Sequence, residues 1–306
     1  MSSSPFILYH YPASPYAEKV RLLAGYLGVS WQSVEVPIQP PRDQLAILAG
    51  GYRRIPVMQC GADIFCDTDV ICDEVISRAN KGLAPCNGAA SALAGRAEAD
   101  VFFAAIRQGS PLKTAIGLTM MLGFTGMLAF AKDRASFAQG HAPAAQKSDV
   151  ARSVFSSFLR DLDEVLGCQY YLGGNAPCLS DFCCYHPIFL ARGFKSIKEA
   201  TLPAGVKAWM ERIAGLGWGQ YTAISSDDAM AAAKMLEPRA LPEVGAKHSD
   251  VGQRVKIIPS DTGRVPVTGT LVSKSETRII VARRSEDVGM CHVHFPASGF
   301  ECSVIN

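Results

Sequence analysis

Three short stretches of this chain place reactive or ligand-holding side chains where elementary chemistry can use them. The first is Tyr9-His-Tyr-Pro-Ala-Ser-Pro-Tyr16. Ser14 and Pro15 open a run in which Val20, Leu23, Ala24 and Leu27 fall at i, i+3, i+4 and i+7, one apolar helix face. Serine before proline at such a start is an ordinary helix cap. The same hydroxyl also stands beside the unpaired N–H groups and partial positive charge that favour anions at a helix N-terminus. Tyr9, Tyr11 and Tyr16 are rival hydroxyls, Tyr9 belonging to the preceding strand. The second stretch is Tyr52-Arg-Arg-Ile-Pro-Val57, where Pro56 is either a turn proline or a cis proline that offers the backbone of Ile55 to an extended ligand. The third is Cys66-Asp-Thr-Asp-Val-Ile71, where Asp67 caps a helix carrying Ile71, Cys72, Val75, Ile76 and Ala79 on one face.

The elements that must position these residues alternate in type. Phe6–Tyr9 reads as a buried strand and Pro15–Leu27 as a helix stopped by Gly28. Trp31–Val36 alternates as a strand, and Arg42–Ala49 reads as a short helix ended by Gly50-Gly51. Ile55–Cys60 and Asp63–Phe65 form a hairpin at Gly61, followed by the Asp67 helix. The order β-α-β-α-β-β-α predicts a layered α/β unit over residues 1–80. Residues 81–90 carry turn residues without a period and read as a linker. Residues 91–236 are helical in pattern, with Phe155, Phe158, Leu159, Leu162 and Leu166 keeping a 3.6 period. Past Pro238 and Pro242 the texture turns to short strands, and 248–306 predicts a small β-barrel-like domain.

In this order, separated by about 40 and 11 residues, the three motifs resemble the N-terminal, thioredoxin-like domain of the cytosolic glutathione S-transferase superfamily. There, Ser-Pro-Phe/Tyr opens the first helix, Lys/Arg-Val/Ile-Pro carries a cis proline, and Glu/Asp-Ser/Thr starts the third helix. Tyr171-Leu-Gly-Gly-Asn-Ala-Pro-Cys-Leu-Ser-Asp-Phe182 resembles the signature of that family's helical domain, except that Cys178 stands where Ser or Thr usually caps the helix. The resemblance covers about residues 5 to 235 and implies an all-α second domain; the strand-rich tail lies outside it. It implies glutathione as co-substrate and a cleft between the first two domains. Ser14 would stabilise the glutathione thiolate, which a free thiol of pKa near 8.5 populates to only roughly 3% at pH 7. Ile55 and Pro56 would pair with the cysteinyl backbone, and Asp67 and Thr68 would hold the γ-glutamyl end. Arg53, Arg54, Gln39 and Arg42 lie near the expected glycyl carboxylate; Arg54 abuts the Ile-Pro element and is preferred, with Tyr16 counted among the binding residues. The first cysteine is Cys60, so no thiol stands at the first helix for disulfide exchange. That favours conjugation of a small hydrophobic electrophile, with isomerisation or dehalogenation and a non-catalytic scaffold as alternatives. A detoxifying homodimer follows from resemblance alone.

Composition narrows the partners. Hydrophobic residues make up 48% and charged residues 19% of the 306, which excludes a disordered chain. A net charge of +2 and no like-charge run of five residues give no electrostatic support for nucleic acid. Ten irregularly spaced cysteines and an N-terminus without a basic region or long apolar core suggest a reducing, cytoplasmic setting. The 17 uncharged residues Ala115 to Ala131 are short for a membrane span and interrupted by Gly117, Gly123 and Gly126, so a buried core helix is expected, with Met120, Met121, Phe124, Met127 and Phe130 in the core or walling an apolar pocket. Cys291-His292-Val293-His294 places metal-type donors on a strand without a fourth ligand, Cys183-Cys184 reads as core, and Asp181 and His186 sit about a helical turn apart.

Overall fold

A computed structural model describes residues 5–109, 111–138, 147–241 and 249–305. The chain begins β1 (Phe6–His10), α1 (Pro15–Leu27), β2 (Trp31–Glu35), α2 (Asp43–Ala49), β3 (Val57–Cys60), β4 (Asp63–Cys66) and α3 (Thr68–Ser77). Helices follow: α4 (Gly88–Arg96), a π-helical turn at Ala97–Val101, α5 (Phe102–Arg107), α6 (Pro111–Ala138), α7 (Ser148–Leu166), α8 (Leu179–Gly193) and α9 (Ala204–Ala214). Then come β5 (Tyr221–Ala223), α10 (Ser226–Lys234), β6 (Arg254–Pro259), β7 (Val267–Lys274), β8 (Arg278–Ser285), β9 (Gly289–Pro296) and β10 (Phe300–Val304).

β1 pairs parallel with β2 and antiparallel with β3, which pairs antiparallel with β4. Alternate residues of these strands serve opposite cores. Phe6, Leu8, Met58 and Phe65 pack with α1, α3 and the helices of 88–214. Ile7, Tyr9, Val34, Val57 and Ile64 pack with α2, α10 and the C-terminal strands. Both faces are covered, so β1 is apolar through four residues instead of alternating. α1 starts as its sequence dictates, with Ser14 as N-cap and Pro15 in the first turn, and stops at Gly28, whose φ of 67° is left-handed. Its polar side is buried too: Lys19 meets Glu98 at 2.5 Å, and Arg21 meets Glu18 at 2.7 Å.

The tail departs from the barrel expectation. β6 to β10 continue the sheet, giving the order β10-β6-β7-β8-β9-β4-β3-β1-β2-β5. β9 lies parallel to β4, with Ile64 opposite Val293, and β5 lies parallel to β2. The four-stranded unit would otherwise expose two edges, and unpaired strand edges are usually covered; here chain segments distant in sequence cover both. The region read as all-helical therefore includes a strand, β5, and Ala229 and Ala233 of α10 belong to the core beneath the tail.

α6 also differs from expectation. It breaks at Gly123, whose φ of 72° and ψ of 169° are not helical. Met120 is 84% and Phe124 64% exposed, and Ile116 and Leu128 are exposed too, so this face is not core. The Met121 side chain lies outside those described. Among the described residues no helix is long and apolar enough to cross a membrane. α7 keeps the expected stripe: Phe155, Phe158, Leu159, Leu162 and Leu166 are buried.

Candidate active site

The three motifs meet at one end of the sheet. At the first, Ser14 Oγ accepts the Ala17 N–H at 3.2 Å. Accepting in the cap leaves its O–H for another partner. The residue is 1% exposed. At the second, the Ile55–Pro56 bond is cis and leads directly into β3. At the third, Asp67 caps α3 with φ 92° and ψ 144°, a positive-φ backbone that residues with a side chain rarely adopt. Its Oδ1 accepts the Asp69 N–H at 3.2 Å, and Thr68 behind it is buried. Burial pushes the Asp67 carboxyl up to about 6; the Asp69 charge adds to this and Arg54 opposes it.

Arg54 joins the motifs to the tail. One arm of its guanidinium reaches Asp67 Oδ2 at 3.5 Å. The other donates to the Asp261 carboxylate and, at 2.7 Å, to the Thr262 carbonyl. Thr262 is buried, and the neighbouring Gly263 N–H donates to Phe137 O of α6 at 2.8 Å. Arg53 points the other way, into an ion pair with Asp133 of α6. Arg42 is spent on backbone carbonyls, reaching Pro37 at 2.8 Å, Ile38 at 2.6 Å and Arg53 at 2.9 Å. A cavity of about 360 Å³ opens between α2 and α6, lined in part by Pro40, Arg42, Tyr52, Arg53, Asp133 and Val265.

Residues 8–82 match the family model described as "Glutathione S-transferase, N-terminal domain". This domain belongs to the glutathione S-transferase superfamily. A GST-like protein from Pseudomonas syringae is 28% identical over 100% of both chains, with a TM-score of 0.75, so the likeness includes the strand-rich tail. Two solved structures are more distant. Beta-etherase LigF from Sphingobium sp. strain SYK-6 is 17% identical over 70% of this chain and 95% of its own, TM-score 0.47. Bombyx mori glutathione transferase BmGSTD1 is 17% identical over 71% and 90%, TM-score 0.44. No curated protein matches.

The rival hydroxyls of this glutathione S-transferase domain separate clearly. Tyr9 donates to Gln59 Oε1 at 2.6 Å on the face opposite Leu8, and burial holds its hydroxyl well above the usual range. Tyr16 sits in the second position of α1 with its ring against Phe102 at 4.8 Å and His186 at 4.6 Å, in the seam between α1 and the helices. Burial pushes its hydroxyl up strongly, so it stays protonated. Asp181 does not meet His186; it accepts from Leu172 N, Cys178 N and Trp209 Nε1. Cys291 faces the core with Val293 and Phe295, whereas His294 meets Asp63 at 2.8 Å, so these donors do not converge. Two site neighbours carried no sequence signal. Asp261-Thr-Gly263 reads only as a turn, and Tyr52, whose buried hydroxyl has no partner among the described residues, reads as part of the proline motif.

Proposed function

We propose that the chain is a glutathione transferase in which the Ser14 hydroxyl donates a hydrogen bond that stabilises the glutathione thiolate, and the thiolate attacks a small apolar electrophile. The cis Ile55–Pro56 element between the two capped helix starts carries this reading, because it would offer the Ile55 backbone to the cysteinyl unit as a neighbouring strand does. Thr68 and the start of α3 would take the γ-glutamyl carboxylate, Asp67 the ammonium, and Arg54 the glycyl carboxylate, with Tyr16 walling the cleft. The electrophile would lie against the helices, and a cytoplasmic homodimer is the accompanying assembly. Retention on immobilised glutathione, followed by a conjugation assay, tests the whole.

One observation favours a second reading, a non-catalytic scaffold. Ser14 is 1% exposed and Arg54 is already satisfied by Asp261, so a tripeptide must displace the 261–262 segment. Asp261→Ala should therefore tighten glutathione binding by about tenfold in calorimetry, since an ion pair that must be broken opposes the ligand. Absence of glutathione binding in both wild type and variant supports the scaffold, whereas equal binding in the two takes Arg54 out of the ligand site.

Asp67 makes binding depend on pH. Its carboxyl must be ionised to attract the ligand ammonium, so affinity should fall as pH drops through about 6. Asp67→Asn should bind weakly with no such step. The linked stability change has the opposite sense. An acid whose folded pKa lies above its unfolded value of about 3.9 adds no penalty at low pH and costs stability as pH rises towards the folded value. Asp67→Asn should thus not lower Tm at pH 7, which a thermal scan checks.

A further inference from the structure

The catalytic reading above uses none of the ten cysteines, yet two of them stand together at the start of α8. The Ala84 N–H donates to the Pro177 carbonyl at 3.0 Å, so the segment leaving the sheet domain runs beside the residues that lead into the helix. Cys86, two residues on, is exposed, and its Sγ lies over the first turn of α8. The Ser180 hydroxyl, itself buried, donates to that sulfur at 3.2 Å. The backbone N–H groups of Leu179 and Ser180 also point to it, and the thiol of Cys178 interacts with it directly. Cys178 is the N-cap residue and is fully buried.

These surroundings treat the two sulfurs differently. Partial burial opposes charge on Cys86, but hydrogen bonds from Cys178, the Ser180 hydroxyl and the two N–H groups outweigh it and bring the thiol below its ordinary range. Burial, then the bond to Cys86, pushes Cys178 up, so it keeps its proton and donates it. The other buried thiols, among them Cys66, Cys72, Cys183 and Cys184, are raised by burial and lack such a donor set.

We propose that Cys86 and Cys178 form a dithiol site that reacts with hydroperoxides, Cys86 as nucleophile and Cys178 as resolving thiol. The Cys86 thiolate attacks one peroxide oxygen. The O–O bond breaks, an S–O bond forms, and the released alkoxide or hydroxide takes a proton from water. Cys86 is oxidised by two electrons to sulfenic acid and the peroxide is reduced to an alcohol or water. The Cys178 sulfur then attacks Cys86 Sγ. The S–O bond breaks, the departing hydroxide takes the Cys178 proton as water, and a disulfide remains. Neither step involves Ser14 or glutathione, so this site stands whether or not the transferase reading does.

The test uses the reduced full chain, one equivalent of hydrogen peroxide near pH 7, and alkylation followed by non-reducing peptide mass spectrometry. Free thiols should fall from the ten present by two, with one linked peptide pair containing Cys86 and Cys178, reversed by dithiothreitol. In Cys178→Ser, which restores a hydroxyl cap and should fold, Cys86 should accumulate as a dimedone-trapped sulfenic acid with no disulfide. Before oxidation, Cys86 should alkylate about tenfold faster than Cys168, the other exposed cysteine. Equal alkylation of Cys86 and Cys168, or oxidation of the wild type without the Cys86–Cys178 link, overturns the proposal.

Discussion

Ser14→Ala should lower kcat/KM for conjugation of glutathione to an aromatic electrophile by about 10²-fold, the cost typical of losing one donor to a developing or bound anion. The loss should fall mainly on kcat. The ligand's backbone and carboxylates would still have the Ile55–Pro56 element, the start of α3 and Arg54, so KM for glutathione should change little. Ser14→Thr keeps a hydroxyl and should recover much of the rate. The alanine variant also loses the bond to the Ala17 N–H, worth roughly 0.5–2 kcal/mol in a helix cap. A circular-dichroism melt separates that modest loss of stability from the kinetic effect. Equal rates in wild type and Ser14→Ala would reduce Ser14 to a cap.

The largest stability effect should come from Asp181→Ala, far from the proposed chemistry. Asp181 is fully buried and accepts three N–H groups: Leu172 at 2.8 Å, Cys178 at 2.8 Å and Trp209 Nε1 at 2.7 Å. Alanine leaves all three donors buried and unpaired, a cost of about 3 kcal/mol or more. The urea midpoint should fall accordingly. Asp181→Asn should lie between, because one amide oxygen can still serve two donors while its NH2 faces the third. A midpoint for Asp181→Ala equal to wild type would show that these bonds add nothing to the fold.

The parts of this molecule legible in the sequence are those fixed by local chemistry. Ser14-Pro15 and Gly28 bracket α1 because cap, proline and left-handed glycine act within a few residues. The apolar stripe of α7 is legible because Phe155 to Leu166 keep one period. What could not be read is decided between distant segments. Tyr221-Thr-Ala223 has three exposed residues and no alternation, yet becomes a strand because β2 offers an unpaired edge. The tail strands show their pattern but not their partner, since nothing in β9 names β4. Met120 and Phe124 look like core by composition, but no described neighbour buries them. At the site, the arginine beside the Ile-Pro element was visible and its occupant was not. Asp261 reaches it across 207 positions of chain from a turn with no motif of its own.

The ultraviolet absorbance of the thiolate, followed against pH with glutathione bound to the wild-type protein, probes the sulfur itself. Stabilisation by the Ser14 hydroxyl and the start of α1 should bring the midpoint one to three units below the free-thiol value of about 8.5. A midpoint at the free-thiol value in a saturated complex would contradict the account.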